Sequence, residues 1–282
     1  MHLIRVGRRL QEQTDALGEE NRRRFASDQV YVLNLMSAPG SGKTSLLERT
    51  LERLSGRWRA GVVEGDIEGS ADADRLRRFG CPVTQINTHG ACHLDPRQVA
   101  QAIAAFDLSA LDLLVIENVG NLVCPAEFDL GEADRVMLLS VTEGHDKPGK
   151  YPLMFRTADL LLLNKIDLLP ATDFDVAEAV RVARALNPEL EWLEVSCRTG
   201  AGLDAWAAWL EARLEHARQH WRGEAHDHAA GEAPTHGAGH THTHAAEARH
   251  TPAADEGNRH AADVAPAPEP GRAPSPGRGR KG

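Results

Sequence analysis

The run Ser37-Ala38-Pro39-Gly40-Ser41-Gly42-Lys43-Thr44 places two glycines, a lysine and a threonine at the spacing of a phosphate-binding loop. Glycines let consecutive backbone N–H groups converge on an anion, a following helix adds the positive end of its dipole, and the lysine supplies a mobile cation. Pro39, Gly40, Ser41, Gly42, Lys43, Thr44 and Ser45 are therefore candidate phosphate ligands, with Lys43 catalytic and the Thr44 hydroxyl a ligand to Mg2+. Ser37 stands where the usual pattern has its first glycine, which leaves G-x-G-K-T intact. A glycine-rich turn before a helix would look much the same locally. Residues 30–36 are apolar and strand-like, however, and Ser45-Leu46-Leu47 opens a helix-like run, which is the setting a chance match lacks.

Which nucleotide binds is decided further along the chain. Asn164-Lys165-Ile166-Asp167 follows the apolar run 160–163 and matches N-K-x-D. A carboxylate at Asp167 accepts from both the ring N–H and the exocyclic amine of guanine, donors that adenine does not present together. Asn164 and Lys165 would brace the loop and cover the base. Alone the tetrapeptide says little, since Asn, Lys and Asp all favour turns after strands. Downstream of a phosphate loop it favours GTP over ATP. Ser196-Cys197-Arg198, at the next strand end, resembles the loop whose backbone N–H meets the guanine oxygen, with Cys197 and Arg198 replacing the commoner Ala-Lys. Between these motifs the strand-like run 113–116 ends in Glu117 and then Gly120, placing Glu117 to hold Mg2+ through water and the Gly120 N–H to sense the γ-phosphate. Asp66 ends an earlier strand and is the candidate for touching Mg2+ or the attacking water. It reads alternatively as a helix cap or turn residue.

A third kind of chemistry is suggested by sulfur and imidazole. Cys92 and His93 are adjacent in Thr88-His89-Gly90-Ala91-Cys92-His93-Leu94-Asp95, and Cys124 follows shortly after Gly120. Thiolate and imidazole suit nickel or zinc, and both segments would leave the same edge of a sheet. Three ligands make an incomplete site, which a two-fold axis between two chains could complete. A Cys-His pair taken alone is better read as small buried thiols beside a loop histidine.

The elements that must position these groups alternate. Strand-like runs at 30–36, 60–63, 82–86, 113–116, 136–141, 160–163 and 193–195 are separated by helix-period segments at 44–54, 71–79, 96–106, 176–186 and 203–221. That pattern describes an α/β fold, a mostly parallel sheet with helices on both faces, whose ligands bind at the carboxyl ends of the strands. In the last helix Leu203, Trp206, Leu210 and Leu214 form one stripe. A charged helix is expected from about residue 3 to 26, so residues 1–28 form an N-terminal helical segment and 29–222 the nucleotide-binding domain. Residues 223–282 hold few large apolar side chains and are expected to be a disordered, His-rich tail. The net charge of −9 argues against general nucleic-acid binding. No apolar run reaches membrane-spanning length and the N-terminus lacks a secretory core, so membrane insertion is not expected and the location is cytoplasmic. Four scattered cysteines then read as reduced thiols.

Together the runs 33–44, Glu64-Gly65-Asp66, Cys92-His93-Leu94-Asp95, 116–125, Val141-Thr142-Glu143-Gly144 with Asp146-Lys147-Pro148, and Asn164 to Pro170 resemble the HypB family. That family comprises the nickel-inserting P-loop GTPases of nickel–iron hydrogenase maturation, and the resemblance covers residues 21–214. It implies a GTP-dependent homodimer with slow GTP hydrolysis and Ni2+ or Zn2+ held by Cys92, His93 and Cys124 near the subunit interface. It further implies that Lys147 reaches the partner subunit's nucleotide, and that the partners are a maturation protein and the hydrogenase large-subunit precursor. Residues 1–27 contain no cysteine, so the cysteine-rich N-terminal nickel motif of some members is not expected. The histidines instead crowd the other end: His216, His220, His226, His228, His236, His240, His242, His244, His250 and His260. His240, His242 and His244 offer a chelating array for nickel storage, in competition with protons; an incidental low-complexity linker is the alternative. Competing functions are a urease-type nickel-insertion GTPase, which usually has Cys-Pro-His where this chain has Ala91-Cys92-His93, and a nickel buffer whose nucleotide site senses energy state.

Overall fold

The computed structural model describes residues 6–66 and 71–229. Among them β1 (Tyr31–Ser37), β2 (Ala60–Asp66), β3 (Val83–Asn87), β4 (Leu113–Glu117), β5 (Asp134–Ser140), β6 (Leu160–Asn164) and β7 (Glu191–Glu194) form one sheet. Every pairing is parallel, in the order β3-β2-β4-β1-β5-β6-β7. Parallel neighbours require crossover connections. These are supplied by α2 (Lys43–Leu54), α3 (Ala71–Arg77), α4 (Pro96–Ile103), α5 (Lys147–Lys150), α6 (Pro152–Arg156) and α7 (Val176–Leu186), with α1 (Val6–Ser27) and α8 (Leu203–Ala229) at the two ends. All the expected strands are present, shifted by at most a few residues.

Side-chain alternation sorts the core. Every residue of β1 is buried, because both faces of the sheet are covered. Tyr31, Leu33 and Leu35 meet Leu46, Leu54, Trp206, Leu210 and Leu214 from α2 and α8 on one face. Val32 and Met36 point the other way, into two separate clusters built on α1 and α4 and on α6 and α7. The expected stripe of α8 is fully buried, and the Trp206 indole N–H donates to Thr50 Oγ1 at 2.8 Å, so its one polar atom is paired inside the core.

α1 packs onto the sheet domain: Phe25 lies in the core and the buried Asn21 amide donates to Pro96 O at 2.9 Å and Leu130 O at 3.1 Å. Two expectations about helix ends are corrected. α3 and α4 stop at Arg77 and Ile103 because the next residues close into tighter turns, Phe79 N–H to Leu76 O and Phe106 N–H to Ile103 O. α8 runs on to Ala229, past Trp221, where the change in composition had marked the end of order. The histidines at 236–260, including His240, His242 and His244, lie outside the described residues. No helix among the described residues is long and apolar enough to cross a membrane.

Candidate functional site

The phosphate loop joins β1 to α2 at the carboxyl edge of the sheet, beside β4 and β5. Gly42 adopts φ +103°, and a Cβ there would come within 2.6 Å of Asn164 Nδ2. Position 42 thus demands glycine on two counts. The serine at position 37 is also explained: its hydroxyl accepts from Lys43 Nζ at 3.1 Å and needs no left-handed backbone. Burial lowers the pKa of Lys43, opposed by Glu117, Asp72, Asp66 and Glu143. Ser41 Oγ donates to Glu143 Oε1 at 2.6 Å, tying the loop to the end of β5.

The base motif is built onto the same loop. Asn164 donates to Ser41 O and Lys165 Nζ to Gly40 O, both at 2.8 Å, so the two residues brace the phosphate loop. Lys165 turns the chain with φ 63°, and Asp167 Oδ1 accepts from the Ser196 hydroxyl at 2.6 Å. The Cys197 N–H faces Asn164 Oδ1 at 3.4 Å, and Arg49 of α2 donates to Cys197 O at 3.0 Å. Gly42, Ser45, Arg49, Asn164, Lys165 and Asp167 are among the residues lining a cavity of about 520 Å³, within the range of small-ligand sites. Lys147, at the start of α5, is not among its lining residues.

Carboxylates gather where a cation would sit. Thr44 Oγ1 donates to Glu117 Oε1 at 3.0 Å, and Glu117 is paired in register with Glu64 across β4 and β2. Both carboxylates are buried, and each keeps an Oε2 without a hydrogen-bond partner. Burial pushes the Glu117 pKa up to about 7 against the pull of Lys43; burial, then Glu117 and Asp66, push Glu64 to about 8. Two orphaned carboxyl oxygens beside a threonine hydroxyl fit an oxygen-loving divalent cation, whose charge would favour their ionised form. Glu64 is a residue the motif search missed. Its signal was present: Glu64 and Asp66 are two apart on a strand and so share a face.

These raised values have a consequence for the ligand-free protein. An unfolded glutamate titrates near roughly 4.3. From there up to about 8 the folded chain therefore binds more protons than the unfolded one, so the contribution of Glu64 and Glu117 to stability falls as pH rises through their folded values and then levels off. Thermal denaturation between about pH 6 and pH 9 is expected to show this fall, reduced in Glu64→Gln. An identical pH profile in that variant would refute the assignment.

The sulfur and imidazole ligands converge within one chain. Cys92 Sγ lies 2.7 Å from Cys124 Sγ and 3.7 Å from His93 Nδ1, and one ligand atom from each of the three residues falls within 4.8 Å of the others. The His93 ring stacks on Phe128 with centroids 4.2 Å apart, and burial lowers its pKa, keeping the imidazole neutral for coordination. The hydrogen bond with Cys92 raises the Cys124 pKa to about 11, so a cation that takes both thiolates must displace protons. Cys124 opens a short 3-10 turn, Cys124–Glu127, and both Val123 N–H and Cys124 N–H donate to Asn121 Oδ1.

Relatives share this arrangement of elements. A family model described as CobW/HypB/UreG, nucleotide-binding domain, matches residues 31–194. Hydrogenase maturation factor HypB of Azotobacter vinelandii is 53% identical over 209 residues, 74% of this chain and 69% of that protein. Its counterpart in Escherichia coli K12 is 51% identical over 202 residues, 72% of this chain and 70% of that protein. The crystal structure of HypB from Archaeoglobus fulgidus matches with a TM-score of 0.68 at 41% identity, covering 72% of this chain and 99% of that one. HypB from Helicobacter pylori in complex with nickel matches with a TM-score of 0.69 at 38% identity, covering 74% and 97%. The chain belongs to the HypB family of hydrogenase maturation factors.

Proposed function

We propose that this chain hydrolyses GTP to GDP and phosphate and uses its nucleotide state to control delivery of Ni2+ during hydrogenase maturation. The observation that carries this reading is one loop with two duties. Gly120 packs so closely on the phosphate loop that a Cβ would meet Pro39 Cα at 2.9 Å, and a few residues later the same loop presents Cys124 to Cys92. Backbone N–H groups of residues 40–45, which follow Pro39, and the Lys43 ammonium bind the phosphates; Asp167, Asn164, Lys165, Ser196 and Cys197 select and hold guanine. Thr44 and Glu117, with Asp66, would hold Mg2+, which when bound spreads the negative charge of the β- and γ-phosphates. Asp66 is our candidate for orienting the attacking water. Lys147 would reach the nucleotide of a second protomer in a GTP-dependent homodimer whose turnover would be slow.

Two thiolates and a neutral imidazole suit Ni2+ as well as Zn2+, and the nickel complex of the Helicobacter pylori relative favours Ni2+ as the cargo. The receiving partners would be a maturation protein and the hydrogenase large-subunit precursor, in the cytoplasm. Nickel release measured with GDP, GTP and a non-hydrolysable GTP analogue tests delivery directly. Release that ignores the nucleotide would leave a nickel buffer.

The histidines beyond α8 would add storage capacity. Deleting residues 230–282, which leaves α8 whole, is expected to lower the number of nickel ions bound per chain in equilibrium dialysis while GTP turnover persists. Unchanged stoichiometry would reject the storage role.

A further inference from the structure

Two asparagines lie either side of Gly120: Asn121 is bonded to the Cys124 backbone, and Asn118 to the residue that follows the Cys92-His93 pair. On one side the Asn121 backbone N–H donates to Ser37 O, the first residue of the phosphate loop, at 2.8 Å. Its side-chain Oδ1 accepts from Val123 N–H at 2.7 Å and Cys124 N–H at 3.0 Å, fixing where the Cys124 ligand begins its turn. On the other side the fully buried Asn118 accepts through Oδ1 from its neighbour Val119 N–H at 2.9 Å and from Leu94 N–H at 3.1 Å. Leu94 directly follows the Cys92-His93 pair.

The second arm is anchored deep in the fold. Asn118 Nδ2 donates to Asn34 Oδ1 at 3.2 Å, and Asn34 Nδ2 donates to Glu132 Oε1 at 3.1 Å. Glu132 also accepts from Arg135 and from Leu130 N–H, both at 2.6 Å. Asn34 shares the parity of Val32 and Met36 on β1, so this polar chain runs between the two apolar clusters of that face. Buried amides are costly to leave unpaired, so such a network favours a few discrete arrangements over gradual deformation.

We propose that Asn118 and Asn121 are positioning residues that carry movement of the Gly120 loop to both halves of the cluster, so that nucleotide state sets the spacing between Cys124 and the Cys92-His93 pair. This rests on the reading above that nucleotide state changes nickel affinity. The rival explanation is that the covalent chain from Gly120 to Cys124 suffices. Under that explanation the side chain at 121 is dispensable for coupling.

The experiment titrates Ni2+ into the full chain loaded with GDP or with a non-hydrolysable GTP analogue, following sulfur-to-nickel charge-transfer absorbance. That band ignores tail histidines, and Cys124→Ser identifies the part arising from this cluster. The parent is expected to show nickel affinities differing on the order of 10-fold between the two nucleotides. Asn121→Ala should bring that ratio to within about 2-fold, whereas Asn121→Asp, which keeps the acceptor for both amides, should restore it. Asn118→Ser, too short to hold Leu94 N–H, should also flatten the ratio; if it does not fold, the Asn121 pair decides. By linkage, nickel should shift the preference for analogue over GDP by the same factor in the parent and lose that effect in Asn121→Ala. A uniform loss of nickel affinity moves neither quantity. An undiminished ratio in Asn121→Ala overturns the proposal and leaves nucleotide-controlled delivery standing, whereas a parent ratio of one removes both.

Discussion

Lys43→Ala is expected to abolish measurable GTP turnover, with a loss on the order of 10³-fold, while the chain still folds and its cysteine cluster still binds nickel. The lysine does more than contribute a charge. Its ammonium is held by Ser37 Oγ at 3.1 Å and sits among Glu117, Asp66, Asp72 and Glu143, which oppose the lowering of its pKa by burial. Those carboxylates favour the charged form of a side chain that, on the proposed reading, lies where the γ-phosphate gains charge in the transition state, at little cost in reorganisation. Alanine would remove that cation and leave the Glu64–Glu117 carboxylate pair facing the phosphates with no lysine nearby. Steady-state phosphate release, with nickel–thiolate absorbance as the folding control, checks the outcome. Turnover within about 3-fold of the parent would show that phosphate charge is handled elsewhere.

Local signals made much of this site legible. Glycine-rich spacing, an N-K-x-D turn and seven apolar runs each leave a mark within a few residues of chain, and each corresponds to an element seen in the fold. What stayed hidden depends on which strands are neighbours. Nothing in the spacing of Glu64 and Glu117 says that β2 lies beside β4, yet that adjacency alone sets the two carboxylates side by side. For Cys92 and Cys124 parallel order alone already puts both loops at one edge of the sheet, and what the spacing does not say is that their sulfurs lie 2.7 Å apart. The helices α5 and α6 are too short to show a helical period, and each begins with a proline in its first turn that reads equally well as a loop. At the far end the error ran the other way. Composition turns polar at residue 223, but α8 continues to Ala229 because helix formation there depends on extending an existing helix and needs no apolar face of its own.

The base loop and the phosphate loop also prove to be one mechanical unit. Asn164 and Lys165 both donate to carbonyls of the phosphate loop, so seating guanine and seating phosphate cannot be fully independent. A change that alters base recognition can therefore be interpreted cleanly only if it spares those two braces. Position 167 meets this requirement: its carboxylate accepts from Ser196 and faces Arg198 at 3.8 Å, so its contacts are to the loop after β7.

Asp167→Asn is accordingly expected to exchange guanine for xanthine. On the proposed reading the parent carboxylate accepts two hydrogen bonds from guanine, and a bond to a charged group contributes about 1.5–3 kcal/mol. An asparagine carbonyl can accept only part of that pair, while its NH2 faces a guanine donor and leaves a buried polar contact unmade. The loss corresponds to weakening of GTP binding on the order of 10²-fold or more. Xanthine carries an oxygen where guanine has its amine, so the asparagine NH2 finds an acceptor and xanthosine triphosphate should bind more tightly to the variant than to the parent. Ser196 Oγ remains able to hold the new side chain through its carbonyl, which keeps the loop in place. Competition binding with GTP, xanthosine triphosphate and ATP measures all three affinities at once. Undiminished GTP affinity in Asp167→Asn would place the base elsewhere in the cavity, whereas equal losses for every nucleotide would mean that the substitution had disturbed the braces at Asn164 and Lys165 instead of the base contact.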